Sequence, residues 1–260
     1  MHSMKYIQPI LKLENLTKTF DGLHAVDHCS FAITPNTITG LIGPNGAGKT
    51  TTFDLITGTL EETSGKIYFK DEDITHLEAH KRARLGLART FQIVRLFPEL
   101  TALENLLIVL HKNYQNLSHI FFKPQGELKR LHDEAREYLK EINLEHHAGA
   151  LAKNLSYGQQ KLLEIMRSVA TGAELFLLDE PAAGVNPTML RHIEKIILYL
   201  KSRGKTVLIV EHNMPFIMGI CDHVIVLDQG RHLVEGRPQD IQKNQLVLEA
   251  YLGRRRPTLL

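Results

Sequence analysis

The chain has 260 residues, 43% of them hydrophobic and 23% charged, and a formal net charge of +2. This composition fits a soluble globular protein with a core of ordinary size, and the near balance of charge gives no case for nucleic-acid binding. Cys29 and Cys221 lie too far apart in sequence to suggest a disulfide framework, no stretch approaches the ~20 apolar residues of a membrane helix, and Met1–Ile10 lacks the apolar run of a secretory signal.

Residues 11–35 alternate in the manner of strands (Leu11, Leu13, Leu16, then Phe31 and Ile33), with turn chemistry at Asp21-Gly22. Ile38–Ile42 reads as an apolar strand, Thr51–Ile56 as the continuation of a helix, and Gly65–Phe69 as another short strand. The pattern then changes. Leu103, Leu106, Leu107 and Leu110 recur at helical spacing, and Leu128, Leu131, Ala135, Tyr138, Leu139 and Ile142 form a second amphipathic stripe. Strand signals return at Leu175–Leu178, Val207–Val210 and Val224–Leu227, with a helix between the first two marked by Met189, Leu190, Ile193, Ile196, Ile197 and Leu200 and closed by Gly204. Asp228-Gln229-Gly230 reads as a hairpin turn. The expected fold is α/β: a phosphate-loop core with a mostly parallel sheet, an N-terminal antiparallel β subdomain and an inserted helical lobe. The expected division is a discontinuous core over 1–92 and 166–240, a helical lobe over 93–165 and a C-terminal extension over 241–260, within one domain.

The run Gly43-Pro44-Asn45-Gly46-Ala47-Gly48-Lys49-Thr50 fits G-x-x-x-x-G-K-[ST] between a strand and a helix. Its glycines let backbone N–H groups turn inward around a phosphate, and Thr51 continues the helix whose N-terminus adds its positive end. Lys49 is expected to reach the β- and γ-phosphates of a bound nucleotide, and the Thr50 hydroxyl to bind Mg²⁺. Leu175–Leu178 ends in Asp179-Glu180, which suits Asp179 to Mg²⁺ and Glu180 to polarising water for in-line attack. His212 follows the strand Val207–Val210 and would reach the γ-phosphate or the attacking water if that strand ends beside the loop. Ser156 is a good N-cap for the helix that opens Ser156-Tyr157-Gly158-Gln159-Gln160, and such a turn also makes an anion site.

Taken in this order, Gly43–Thr50, Gln92, Leu155–Gln160, Leu175–Glu180 and His212 resemble the ATP-binding-cassette (ABC) ATPases over nearly the whole chain. The resemblance implies that Phe20 stacks on adenine and that Gln92 contacts Mg²⁺ or the attacking water and senses the membrane partner. It also implies that a second cassette, a copy or a sister chain, pairs head to tail. Ser156, Gly158 and Gln159 of one chain then cap the ATP held by Lys49 of the other. Arg89–Phe97, Thr101–Leu106, Pro181–Pro187 and Glu249–Gly253 look like the ATPase subunits of branched-chain amino acid importers. That closer likeness implies integral-membrane permease subunits, a substrate-binding protein acting through them, and a place at the cytoplasmic face of the cell membrane. Cassettes for urea or amide import and lipopolysaccharide export share parts of the pattern, and a soluble iron–sulfur assembly ATPase is a further alternative. Tyr157 stands where the signature usually has glycine, and Asn186 where the following loop usually has aspartate. If that glycine needs a positive φ, Tyr157 is strained. The Arg254–Arg256 run reads as a solvated tail.

Overall fold

The computed structural model describes residues 8–90, 94–112 and 125–252, so Gln92, Gly253 and the Arg254–Arg256 run lie outside the described residues. Among these, strands β1 (Leu11–Phe20), β2 (Leu23–Ile33), β4 (Ser64–Phe69) and β5 (Glu72–Asp73) form an antiparallel sheet in the order β2-β1-β4-β5. A second sheet has six strands: β3 (Ile38–Ile42), β6 (Leu87–Arg89), β7 (Leu175–Asp179), β8 (Thr206–Val210), β9 (His223–Asp228) and β10 (Arg231–Gly236). Its order is β10-β9-β3-β8-β7-β6; all pairs are parallel except the β9–β10 hairpin, which turns at the expected Asp228–Gly230.

The parallel strands are apolar throughout because both of their faces are covered. Phe176, Leu178, Val207, Ile209, Val224 and Val226 turn to one side, into a core shared with helices α3 (Ala102–Lys112), α4 (Gln125–Glu141), α5 (Tyr157–Val169) and α6 (Pro187–Ser202). Their neighbours Leu175, Leu177, Leu208, Val210, Ile225 and Leu227 turn to the other side. There they meet Phe53, Leu55 and Ile56 of α1 (Lys49–Thr57) and the inner face of the antiparallel sheet, Leu11, Leu13, Leu16 and Val26. The period of two along each strand therefore joins both halves of the molecule through one sheet.

The short α2 (Ala79–Leu85) had no clear periodicity, and it brings in an unexpected clamp. Arg82, 2% exposed, donates through Nη1 to the carbonyls of Leu55 and Ile56, through Nε to Leu77 and through Nη2 to Thr75. Its charge meets the carbonyl end of α1 and fixes the helix that carries Lys49. Thr101 and Glu104 cap α3 reciprocally: Thr101 Oγ1 accepts from the Glu104 amide and Glu104 Oε2 accepts from that of Thr101. Asn105, fully buried, donates to the carbonyls of Phe97, Leu100 and Thr101 and accepts from the Phe97 amide, so the Thr101–Leu106 motif builds its own preceding loop. The chain continues through α7 (Met214–Ile220), α8 (Pro238–Gln242) and α9 (Gln245–Leu252).

Candidate nucleotide site

Five parallel strands end at one edge of the second sheet, and the segments leaving three of them, β3, β7 and β8, bring the predicted residues together. The register aligns Leu41 with Val210 and Val210 with Asp179, so the loop after β3, the Asp179-Glu180 pair and Glu211-His212 leave at one level. Open α/β sheets bind ligands at this carboxyl edge.

The loop from Gly43 to Thr50 is braced from behind and open in front. A Cβ on Gly43 would stand 2.2 Å from the Leu227 carbonyl oxygen and one on Gly48 2.4 Å from that of Ala25, whereas Gly46, at φ +81°, has open space there. Asn45 and Gly46 are exposed, Pro44 is half-buried and Ala47 is buried. Lys49, 6% exposed, donates from Nζ to the carbonyls of Gly43 (2.8 Å) and Pro44 (2.9 Å). Burial pushes its pKa down, and the nearby Glu180 and Asp179 carboxylates push it back up. Thr50 is exposed on the first turn of α1, and Thr51 is half-buried beside it.

Asp179, 4% exposed at the end of β7, accepts from Arg89 Nη2 at 3.0 Å, and Arg89 Nη1 reaches Asp54 Oδ1 at 2.5 Å. Burial raises the Asp179 pKa, against the lowering effect of the Arg89 contact. The Asp179 amide also donates to Thr90 Oγ1. Arg89, Asp54 and Thr90 were not foreseen as supports. An arginine within the apolar run Leu87–Arg89 was the signal for a buried ion pair.

Glu180 adopts φ +46°, in the left-handed region where a non-glycine residue is strained. Its amide donates to the Val210 carbonyl and its Oε1 lies 3.0 Å from His212 Nε2. Between them sits Glu211, 3% exposed, which accepts from the Ala182, His212 and Asn213 amides. That carboxylate, also unforeseen, ties the turn after Glu180 to the turn carrying His212.

Phe20 ends β1, 44% exposed, with Lys18 Nζ 5.1 Å from its ring centroid. Ser156 and Gln159 form a capping box on α5: Ser156 Oγ accepts from the Gln159 amide and Gln159 Oε1 from the Ser156 amide. Tyr157 is the first residue of α5 and is not among the non-glycine residues at positive φ, so the expected strain is absent. Asn186 caps α6, its Oδ1 accepting from the Met189 amide at 2.9 Å.

The family model described as ABC transporter matches residues 26–183, and that described as Branched-chain amino acid ATP-binding cassette transporter matches residues 231–256. The chain is 44% identical over 253 residues to the high-affinity branched-chain amino acid transport ATP-binding protein BraF of Pseudomonas aeruginosa, covering 95% of this chain and 98% of that one. It is 41% identical over 254 residues to LivG of Escherichia coli, described in the same words, with the same coverage. Among solved structures, the ADP conformation of MJ1267, an ATP-binding cassette of an ABC transporter, superposes with a TM-score of 0.82 at 35% identity, covering 95% of this chain and all of that one. The dimeric post-hydrolysis cassette MJ0796, bound to ADP and Pi, gives a TM-score of 0.77 at 26% identity over 88% of this chain and 98% of that one.

Proposed function

The chain belongs to the ATP-binding cassettes of ABC transporters, in their branched-chain amino acid branch. From that premise we propose that it hydrolyses ATP to drive a separate membrane permease importing branched-chain or closely related amino acids. The observation that carries this reading is the convergence of Lys49, Asp179, Glu180 and His212 at the carboxyl edge of one sheet. None of the relatives named above supports a urea, lipopolysaccharide or iron–sulfur role.

In this mechanism Lys49 exchanges the carbonyls of Gly43 and Pro44 for the β- and γ-phosphate oxygens of ATP, and the amides from Gly46 to Thr51 hold the same phosphates. Phe20 offers its exposed ring to the adenine. Thr50 and Asp179 supply hard oxygen donors that suit Mg²⁺, with Gln92 as a further donor, and the ion when bound neutralises phosphate charge. Glu180 takes the proton of the attacking water. His212, 3.0 Å away, holds the Glu180 carboxylate in place and faces the phosphate that leaves. Ser156, Gly158 and Gln159 cap the ATP of a second cassette, a copy or a sister chain, so hydrolysis requires a closed head-to-tail dimer.

Among the described residues no helix is long and apolar enough to cross a membrane. On this reading the chain sits at the cytoplasmic face of the cell membrane, and cargo reaches the permease through a substrate-binding protein. The cargo is tested by deleting the gene in its host and measuring uptake of labelled leucine, isoleucine and valine beside urea. Loss of branched-chain uptake alone is the expected result; intact uptake of all three overturns the cargo.

A further inference from the structure

Two of the donors proposed above for Mg²⁺ stand on elements that are not neighbours. Thr50 lies on the first turn of α1, which follows β3, and Asp179 ends β7, with β8 between those two strands. Sheet pairing sets Asp179 level with Val210, and Val210 level with Leu41. How far α1 stands from the end of β7 depends instead on the side chains packed between helix and sheet.

Arg89 occupies that place. It ends β6, beside β7 in the sheet, and its side chain is 7% exposed. Nη1 donates to Asp54 Oδ1 at 2.5 Å and to Thr57 Oγ1 at 3.3 Å, and Nη2 donates to Asp179 Oδ2 at 3.0 Å. The guanidinium carbon lies 5.7 Å from the centroid of the Phe53 ring. Phe53, Asp54 and Thr57 all belong to α1, and Asp54 is one turn along it from Thr50. One planar fork thus clasps both the helix that carries the first donor and the carboxylate that is the second. Given the Mg²⁺ roles assigned above to Thr50 and Asp179, on which this inference rests, we propose that Arg89 is a positioning residue for the ion. By joining Asp54 to Asp179 it sets the separation of the two donors, and by taking Asp179 Oδ2 it leaves Oδ1 for the ion's water shell. A guanidinium suits this task because its donors are fixed in one plane, whereas an ammonium presents a single point of charge. Groups that orient metal-binding carboxylates typically contribute ~10–100-fold to metal affinity.

The test is calorimetric titration of the chain with a non-hydrolysable ATP analogue, in EDTA and then over a range of free Mg²⁺ concentrations. In the unsubstituted chain Mg²⁺ should tighten binding. In Arg89→Met the affinity in EDTA should stay within about twofold, while the Mg²⁺ concentration giving half of the tightening should rise about tenfold or more. Asp54→Ala should shift it in the same direction, although Arg89 and Asp179 are both intact. Arg89→Lys should not restore it, because lysine keeps the charge and cannot bridge both carboxylates. The inference is overturned by unchanged Mg²⁺ dependence in Arg89→Met or in Asp54→Ala, or by an Arg89→Lys variant that binds as the unsubstituted chain does. An equal loss of affinity in EDTA marks a support of the phosphate loop alone and also overturns it. If Arg89→Met does not fold, Asp54→Ala decides by itself, since the Asp54 side chain is 34% exposed. Asp179→Asn and Thr50→Val separate the two layers. If neither alters the Mg²⁺ dependence, or the unsubstituted chain has none, the metal roles fail and this inference with them. If they alter it and the Arg89 and Asp54 variants do not, only this inference fails.

Discussion

Glu180 is held in a left-handed backbone conformation, and its carboxylate is aimed at His212. Local strain of this kind persists only where the surroundings enforce it, here through the Val210 carbonyl and the Glu211 carboxylate. Glu180→Gln keeps the shape and removes the base, so ATP turnover should fall by ~10²–10⁴ while ATP is still bound. Near-normal phosphate release by that variant would remove Glu180 from its role. Lys49→Met should weaken ATP binding about tenfold or more, as loss of charge-assisted hydrogen bonds worth about 1.5–3 kcal/mol requires. Titration calorimetry with ATP tests this, and unchanged affinity would overturn the role of Lys49. Burial pushes the thiols of Cys29 and Cys221 up to about 12. Because only the thiolate reacts, iodoacetamide at about pH 8 should label neither in the folded protein and both in urea, as read by mass spectrometry. Lys49, Thr50, Asp179 and Glu180 were legible from motif and order, whereas Arg89, Asp54 and Glu211 were not. Each of these supports acts on a site residue distant in sequence or through a backbone turn, and no short pattern encodes that.

At the scale of single elements, capping decides where the functional turns stand. Asn186 replaces a charge with a neutral cap and still accepts from the Met189 amide, so the departure in that loop has a local structural role. Asn186→Ala should cost about 1 kcal/mol and lower the melting temperature by about 2–4 °C. Arg82 matters more, since its guanidinium collects four carbonyls, three of them in buried contacts, at the end of α1 and beside it. Arg82→Met should cost about 3 kcal/mol or more in urea unfolding, because buried acceptors then lose their donor; a loss below 1 kcal/mol would mean that the loop and α1 hold their place without it. The strands Leu175–Asp179, Thr206–Val210 and His223–Asp228 were readable as apolar runs. The short α2 and β6 were not, because seven and three residues carry too little periodicity to stand out.

At the scale of the whole molecule, no described helix is long and apolar enough to cross a membrane. Affinity purification from detergent-solubilised membranes should recover integral-membrane chains with this protein; recovery of soluble chains alone would contradict the transporter reading. By itself, the sequence determined the chemistry and the general plan: a phosphate loop, a strand ending in two carboxylates, a signature turn and alternating strands and helices. These are local patterns, set by spacing along the chain, and backbone geometry converts spacing directly into loop, strand and cap. Only the tertiary structure decided how the parts bear on one another. Parallel register put Val210 level with both Leu41 and Asp179, and with it the segments that leave those strands. Packing seated Tyr157 on Gly184 and Gly158 on Met189, contacts between segments whose complementarity depends on how the two helices come together. The residue that seemed a departure in the signature acquired a partner only when the chain was folded.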